Sequence, residues 1–195
     1  KVKELPQDDN MKPILALLQS GEINDGPKLS IIPEKTVVSA NESDIEKLKR
    51  AGVAIAPVAA NSNYLQANFI AVDSVDGKVI QLLEAIKKQL IWLKLGSTEI
   101  TDADMAAIGK LSALTRLYLD KTNIADKGIA QLTGLSNLEY INVAGTKVSV
   151  AGLGKLKELK KLKQIFVYQP GVSGNDWSGL KNIFPGAKID TGGYV

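Results

Sequence analysis

The stretch "LTRLYLDKTNIADKGIAQL", Leu114–Leu132, sets Arg116 and Tyr118 between Leu114, Leu117 and Leu119. A strand turns alternate side chains to opposite faces, so the pattern L-x-x-L-x-L reads as a turn into a short strand with leucines on one side. The arrangement recurs. "LIWLKLGSTEITDADMAAIGKLSA" starts at Leu90, "LTRLYLDKTNIADKGIAQLTGLSN" at Leu114, "LEYINVAGTKVSVAGLGKLKELKK" at Leu138 and "LKQIFVYQPGVSGNDWSGLKNIF" at Leu162, each 24 residues after the last. Leu93, Leu117, Ile141 and Ile165 share one position in this frame, and "GAKIDTG" carries Ile189 into it. Unrelated strand–helix units do not explain a constant offset. One supersecondary unit, repeated and stacked, does.

The rest of each unit has fixed parts. An apolar residue follows ten positions after the start, at Ile100, Ile124, Val148 and Val172. Two positions before it stands Thr98, Thr122 or Thr146, a side chain able to satisfy backbone groups where the strand turns away; Pro170 cannot do this, so the fourth turn should differ. Helical spacing then sets Met105, Ile108 and Leu111, Ile129, Leu132 and Leu135, Leu153, Leu156 and Leu159, and Trp177, Leu180 and Ile183 on one stripe facing the strands. In "TDAD" Thr101 reads as an N-cap with Asp104 at the third helical position, a capping box. Helices of two to three turns are marginal alone in water, so stacking must stabilise them.

This pattern resembles a leucine-rich repeat of the strand-plus-helix kind. The resemblance implies an α/β solenoid, with parallel strands on a concave face and helices on a convex face.

Upstream the frame loosens, and the expected divisions are an N-terminal linker or cap segment over 1–35, an α/β capping region over 36–89 and the repeats over 90–195. The capping region should shield the hydrophobic end of the first repeat. Within it, "ANESDIEKLKRAG" reads as a helix capped by Asn41 or Ser43 and stopped by Gly52, and "VAIAPV" as a strand cut short by Pro57. A degenerate repeat is expected next, with a strand near Phe69–Val72, Phe69 one period before Leu93, and a helix carrying Val79, Leu82, Leu83 and Ile86. Before Lys35 the chain suggests one helix, Met11–Gln19, and a short apolar "LSII".

Composition narrows the chemistry. The chain has neither cysteine nor histidine, which removes disulfides, thiolate and imidazole catalysis, and haem attachment through CxxCH within these residues. A net charge of +3 does not by itself imply a nucleic-acid partner. No 18-residue apolar run is present to span a bilayer. The chain begins at Lys1 rather than methionine, so a longer protein is expected.

The x residues of L-x-x-L-x-L project away from the helices. They include Trp92, Lys94, Arg116, Tyr118, Tyr140, Asn142 and Phe166, with Gln164, Lys188 and Asp190 beside them and Tyr168 just beyond. Tyr, Trp and Arg together have the composition of interface anchors, which makes this face a candidate partner-binding surface. An alternative is that these side chains merely stack on one another and cover the sheet. In "GKLKELKKLKQ", Lys155, Lys157, Lys160, Lys161 and Lys163 alternate with Leu153, Leu156 and Leu159 at helical period, and read as a solvated outer face. Three carboxylates around "TDAD" lack the ligand order and glycine turn of a calcium loop. Asp120 and Glu139, on adjacent strands, are conceivable neighbours for a carbohydrate-processing site, although nothing marks either as desolvated.

At "PVAANSNYLQANF", Pro57–Phe69, and "QLIWLKLGSTEITDADM", Gln89–Met105, the sequence resembles the C-terminal region of bacterial membrane-anchored proteins that carry a c-type cytochrome domain followed by leucine-rich repeats. The likeness runs from about Thr36 to Gln169. It departs from the family's I-T-D-A-G-L turn at Ala125, in place of threonine, and at Val150, in place of aspartate. The resemblance implies a periplasmic or otherwise extracytoplasmic module, tied to the membrane only through segments upstream of Lys1. Its expected role is a noncatalytic scaffold binding a protein or cell-wall component, with no cofactor of its own and no nucleic acid. The alternative is an accessory carbohydrate-binding or carbohydrate-processing domain.

Overall fold

The structure is a computed structural model that describes residues 32–72, 74–168 and 177–192. Helix α1, Glu42–Arg50, starts at Asn41, whose Oδ1 accepts the Ser43 N–H at 2.9 Å. It ends at Gly52, where φ of +84° demands a residue without a Cβ penalty. Strand β1, Ala54–Pro57, pairs antiparallel with β2, Leu65–Asn68. Pro57 has no N–H to give a ladder, and β1 is the edge strand where this is tolerated.

From β2 the sheet runs parallel and in chain order through β3, Leu90–Lys94, β4, Arg116–Tyr118, β5, Tyr140–Asn142, β6, Gln164–Phe166, and β7, Lys188–Asp190. Leu93, Leu117, Ile141, Ile165 and Ile189 are successive ladder partners. The first four are fully buried, and beside them lies a second buried row of Leu95, Leu119, Val143 and Val167. The 24-residue period is therefore the ladder itself, one rung per repeat. Between strands come α2, Gly77–Leu82, α3, Met105–Ile108, α4, Asp126–Ile129, α5, Val150–Gly154, and α6, Gly179–Ile183. They pack on one face of the sheet, and consecutive helices contact each other. Among the described residues no helix is long and apolar enough to cross a membrane.

These helices are about one turn long, shorter than the stripe of apolar residues suggests. The stripe continues as 3₁₀ turns: Leu111 and Leu114 donate to the carbonyls of Ile108 and Leu111 at 3.0 Å, and Leu156, Leu159 and Leu162 donate likewise to Leu153, Leu156 and Leu159 at 2.9–3.0 Å. Intervals of three match the three residues per turn of a 3₁₀ helix better than the 3.6 of an α-helix, so each leucine stacks over the last.

The degenerate repeat is also displaced. Its strand is Leu65–Asn68 rather than Phe69–Val72, and Ala67, not Phe69, lies opposite Leu93, with a register irregularity between Leu65 and Gln66. Phe69 stands level with Leu95, fully buried, and its N–H reaches the Lys94 carbonyl at 3.0 Å. Asn68 ends the strand by accepting the Ile70 N–H at 3.0 Å, which leaves Ile70 exposed. The offset here is 26 residues, so a strict 24-residue frame misplaces the rung. The helix expected at Met11–Gln19, the "LSII" stretch apart from its last residue Ile32, and the turn at Pro170 and Val172 lie outside the described residues.

Side chains bind rung to rung. Thr98, Thr122 and Thr146 each donate to the carbonyl three residues earlier, Leu95, Leu119 and Val143, at 2.6 Å. Asp102 and Asp126 reach forward instead: Asp102 Oδ1 accepts the Ala125 N–H at 2.8 Å, and Asp126 Oδ1 accepts the Ser149 N–H at 2.7 Å. The capping box is modified accordingly. Asp104 accepts the Thr101 N–H at 2.9 Å but lies before the helix rather than at its third position, and Thr101 Oγ1 takes the Ala103 N–H at 3.3 Å. Asp102, which looks like part of the cap, is a bridge to the next rung.

That bridge needs glycine beneath it. A Cβ on Gly128 would strike Asp102 Oδ1, and one on Gly152 would strike Asp126 Oδ1. Gly128→Ala should destabilise the fold by about 1–3 kcal/mol through overpacking. Asp102→Ala in the same chain should recover part of that loss, so the double variant should cost less than the two singles summed. Denaturant unfolding of the three variants measures the coupling, and simple additivity would show that the aspartate does not sit on the glycine.

Candidate functional site

Strand alternation directs two rows of side chains away from the helices. The ladder places Gln66, Trp92, Arg116, Tyr140, Gln164 and Lys188 in one row. Asn68, Lys94, Tyr118, Asn142, Phe166 and Asp190 form the other. All eight sequence-derived candidates lie on this side: Trp92, Lys94, Arg116, Tyr118, Tyr140, Asn142 and Phe166 are half-buried, and Tyr168 is 48% exposed.

Gln66 and Asn68 belong to the same surface, and sequence reasoning missed them. The signal was available in "LQANF", where Gln66 and Asn68 alternate with Leu65, Ala67 and Phe69. It was hidden by the wrong frame for that rung.

The rows interlock diagonally through the aromatic rings, while each cation packs on a ring of its own row. Lys94 Nζ lies 5.8 Å from the centre of the Tyr118 ring. The Tyr118 and Tyr140 rings are 4.7 Å apart with planes at 38°, and Tyr140 and Phe166 are 5.2 Å apart at 39°. Arg116 stands over Trp92 at 4.5 Å. Tilted pairs at this spacing are favourable beyond their buried area, and a cation over a ring adds to it. The stacking expected as the alternative reading thus occurs, but it leaves polar groups unused. Trp92 Nε1 and Arg116 Nε are enclosed without a hydrogen-bond partner.

Burial, reinforced by the nearby Tyr118 and Asp120, pushes the Tyr140 phenol well above its ordinary range; Arg116 opposes this only in part. Tyr140 therefore remains a neutral hydroxyl at any physiological pH.

The carboxylates are not arranged for glycoside chemistry. Asp120 follows β4, level with Ala144, whereas Glu139 precedes β5, level with Thr115 and Lys163. They stand at opposite ends of the strands, not as neighbours. Glu139 is ion-paired with Lys163 at 3.3 Å, and Asp120 accepts from Asn142 Nδ2 at 3.2 Å. Among the described residues, no group of His, Cys, Asp and Glu could hold a metal ion. Of the lysine run, Lys155, Lys157, Lys160 and Lys161 are exposed as expected, while Lys163 is half-buried against Glu139.

The architecture is similar to that of known proteins. The actin-binding site 2 of leiomodin-1 superposes with a TM-score of 0.53 and 16% identity, over 76% of this chain and 90% of that one. An internalin C2 from Listeria monocytogenes aligns with a TM-score of 0.37 and 19% identity, over 80% of this chain and 88% of that one. The fold is leucine-rich-repeat-like: mixed α/β on a mostly parallel sheet. No protein-family profile and no curated protein sequence matches the chain.

Because the phenol is raised in the fold, alkali should favour unfolding. Below about pH 10 Tyr140 is neutral in both states and the effect is absent; above it, the unfolded chain ionises first and stability falls. Tyr140→Phe should therefore weaken the pH dependence of stability above about pH 10. Denaturant melts of both chains across the alkaline range check it, and an identical slope in the two would contradict the buried, neutral phenol.

Proposed function

We propose that the chain is a noncatalytic recognition module whose leucine-rich repeats form a curved solenoid, with a protein partner bound on the concave sheet face. The observation that carries this is the strip Trp92–Arg116 and Lys94–Tyr118–Tyr140–Phe166 on contiguous strands, held in place by its own stacking. Rigid aromatic and arginine side chains lose little conformational entropy on binding and dominate interface energetics. Asn142, Tyr168, Gln66 and Asn68 rim the same surface. The leiomodin-1 region of similar fold is by its name an actin-binding site, which is consistent with protein recognition on such a scaffold.

The sequence resemblance at Pro57–Phe69 and Gln89–Met105 supports placing this module outside the cytoplasm, as the C-terminal part of a membrane-anchored c-type cytochrome protein, where it would hold an electron-transfer protein near a protein partner or wall component. The carbohydrate reading has less support. A sugar ring packs on an open aromatic face, and the faces of Tyr118 and Tyr140 are taken by their neighbours.

The test is a photo-crosslinking amino acid placed at Asn142 on the sheet face, and separately at Lys157 on the lysine-rich surface, in the native full-length protein in its own cells. A discrete protein adduct from position 142 and none from 157 is the expected result. Adducts from 157 alone, or glycan adducts at 142, would sink the reading.

A further inference from the structure

Resting on that reading, the geometry points to the chemistry of the partner: we propose that the strip recognises an acidic, extended peptide segment carrying two carboxylates one residue apart.

The charged side chains of the two rows on β3 and β4 are both cations, Lys94 and Arg116. Among the described residues neither Lys94 nor Arg116 forms an ion pair. Tyr140 keeps its proton because it is buried. The ring faces are engaged along the strip, so the ring edges, which carry the positive part of the aromatic quadrupole, remain for a partner. Lys94 and Arg116 thus have no carboxylate partner within the described fold, and a partner can bring one to each. The carboxylates on this side of the sheet, Asp120 just after β4 and Asp190 on β7, are already engaged: Asp120 with Asn142, and Asp190 with the Gly192 N–H at 3.0 Å.

The spacing specifies the segment. Lys94 and Arg116 are on neighbouring strands and one ladder step apart along the row-to-row diagonal. A strand spacing of about 4.8 Å and a rise of about 3.3 Å per residue set their backbones about 8 Å apart. Side chains i and i+2 of an extended peptide point the same way about 7 Å apart, so two carboxylates separated by one residue reach both cations. Tyr118, Tyr140 and Phe166 lie beside this line rather than along it, so the two cations alone set the spacing. Arg is the residue best shaped for a carboxylate, since its fork can bind both oxygens.

The probe is a fluorescein-labelled peptide with alternating glutamates, beside a twin in which glutamine replaces every glutamate. Fluorescence anisotropy should show saturable binding of the acidic peptide, at least about tenfold tighter than the twin and weakening as salt rises. Arg116→Gln should reduce affinity about tenfold and Lys94→Gln by less, while Lys155→Gln on the opposite surface should leave it unchanged. Arg116→Lys, which keeps the charge, should retain part of the binding, and circular dichroism of each variant confirms the fold.

Equal binding of the acidic peptide and its twin would overturn the carboxylate assignment while leaving the strip as a protein-binding face. Acid-dependent binding that survives Arg116→Gln and falls with Lys155→Gln would overturn the proposal and move the site to the lysine surface. No binding by either peptide, with crosslinks still forming at position 142, would overturn the acidic-peptide chemistry alone. The absence of those crosslinks as well would overturn the parent reading.

Discussion

Parallel register between rungs is the constraint on which everything else rests. Leu93, Leu117, Ile141 and Ile165 stack as ladder partners with no solvent access, and a single-residue slip would turn each of them toward water. Burying each such side chain is worth roughly 1.5–3 kcal/mol, which a one-turn helix or a three-residue strand could not recover alone. Stacking therefore stabilises elements that are individually too short to persist. The threonines at Thr98, Thr122 and Thr146 close each turn, and Asp102 and Asp126 fasten a rung to the next through backbone N–H groups. Such links make neighbouring rungs interdependent rather than merely adjacent.

The candidate surface follows from the same register. Once alternate side chains are committed to the core, their neighbours must lie on the other face, and the ladder aligns them across strands. Tyr118 meets Tyr140, and Tyr140 meets Phe166, because these residues sit in alternate rows of adjacent rungs. No loop has to fold around a ligand to create the strip. A surface built this way is rigid before binding, which lowers the entropic cost of recognition.

Much of this was legible in the residue pattern, and the exceptions have definite causes. The strands of the four later rungs, the inward residues and the role of the threonines follow from alternation and period. The first rung was misplaced because its offset is 26 residues from Gln66 onward instead of 24, the pairing stepping from Leu65 opposite Leu90 to Gln66 opposite Trp92. Gln66 and Asn68 were lost from the candidate surface with it. Helix lengths were overstated because an apolar interval of three is compatible with both an α-helix and a run of 3₁₀ turns. The role of Asp102 was not legible in "TDAD", because its partner Ala125 lies 23 residues away.

Sequence alone determined the repeat, its period and which side chains face away from the helices, since these depend only on periodicity along the chain. Tertiary structure alone decided what those side chains do to one another. Whether Asp120 meets Glu139 depends on their level along the strands, and it separates them. Whether aromatic rings stand free or interlock depends on diagonal spacing between rungs, which brings Tyr118 and Tyr140 to 4.7 Å. Which cations are left without carboxylate partners depends on three-dimensional reach, and Lys94 and Arg116 are spaced so that an external acid can supply what the rungs do not.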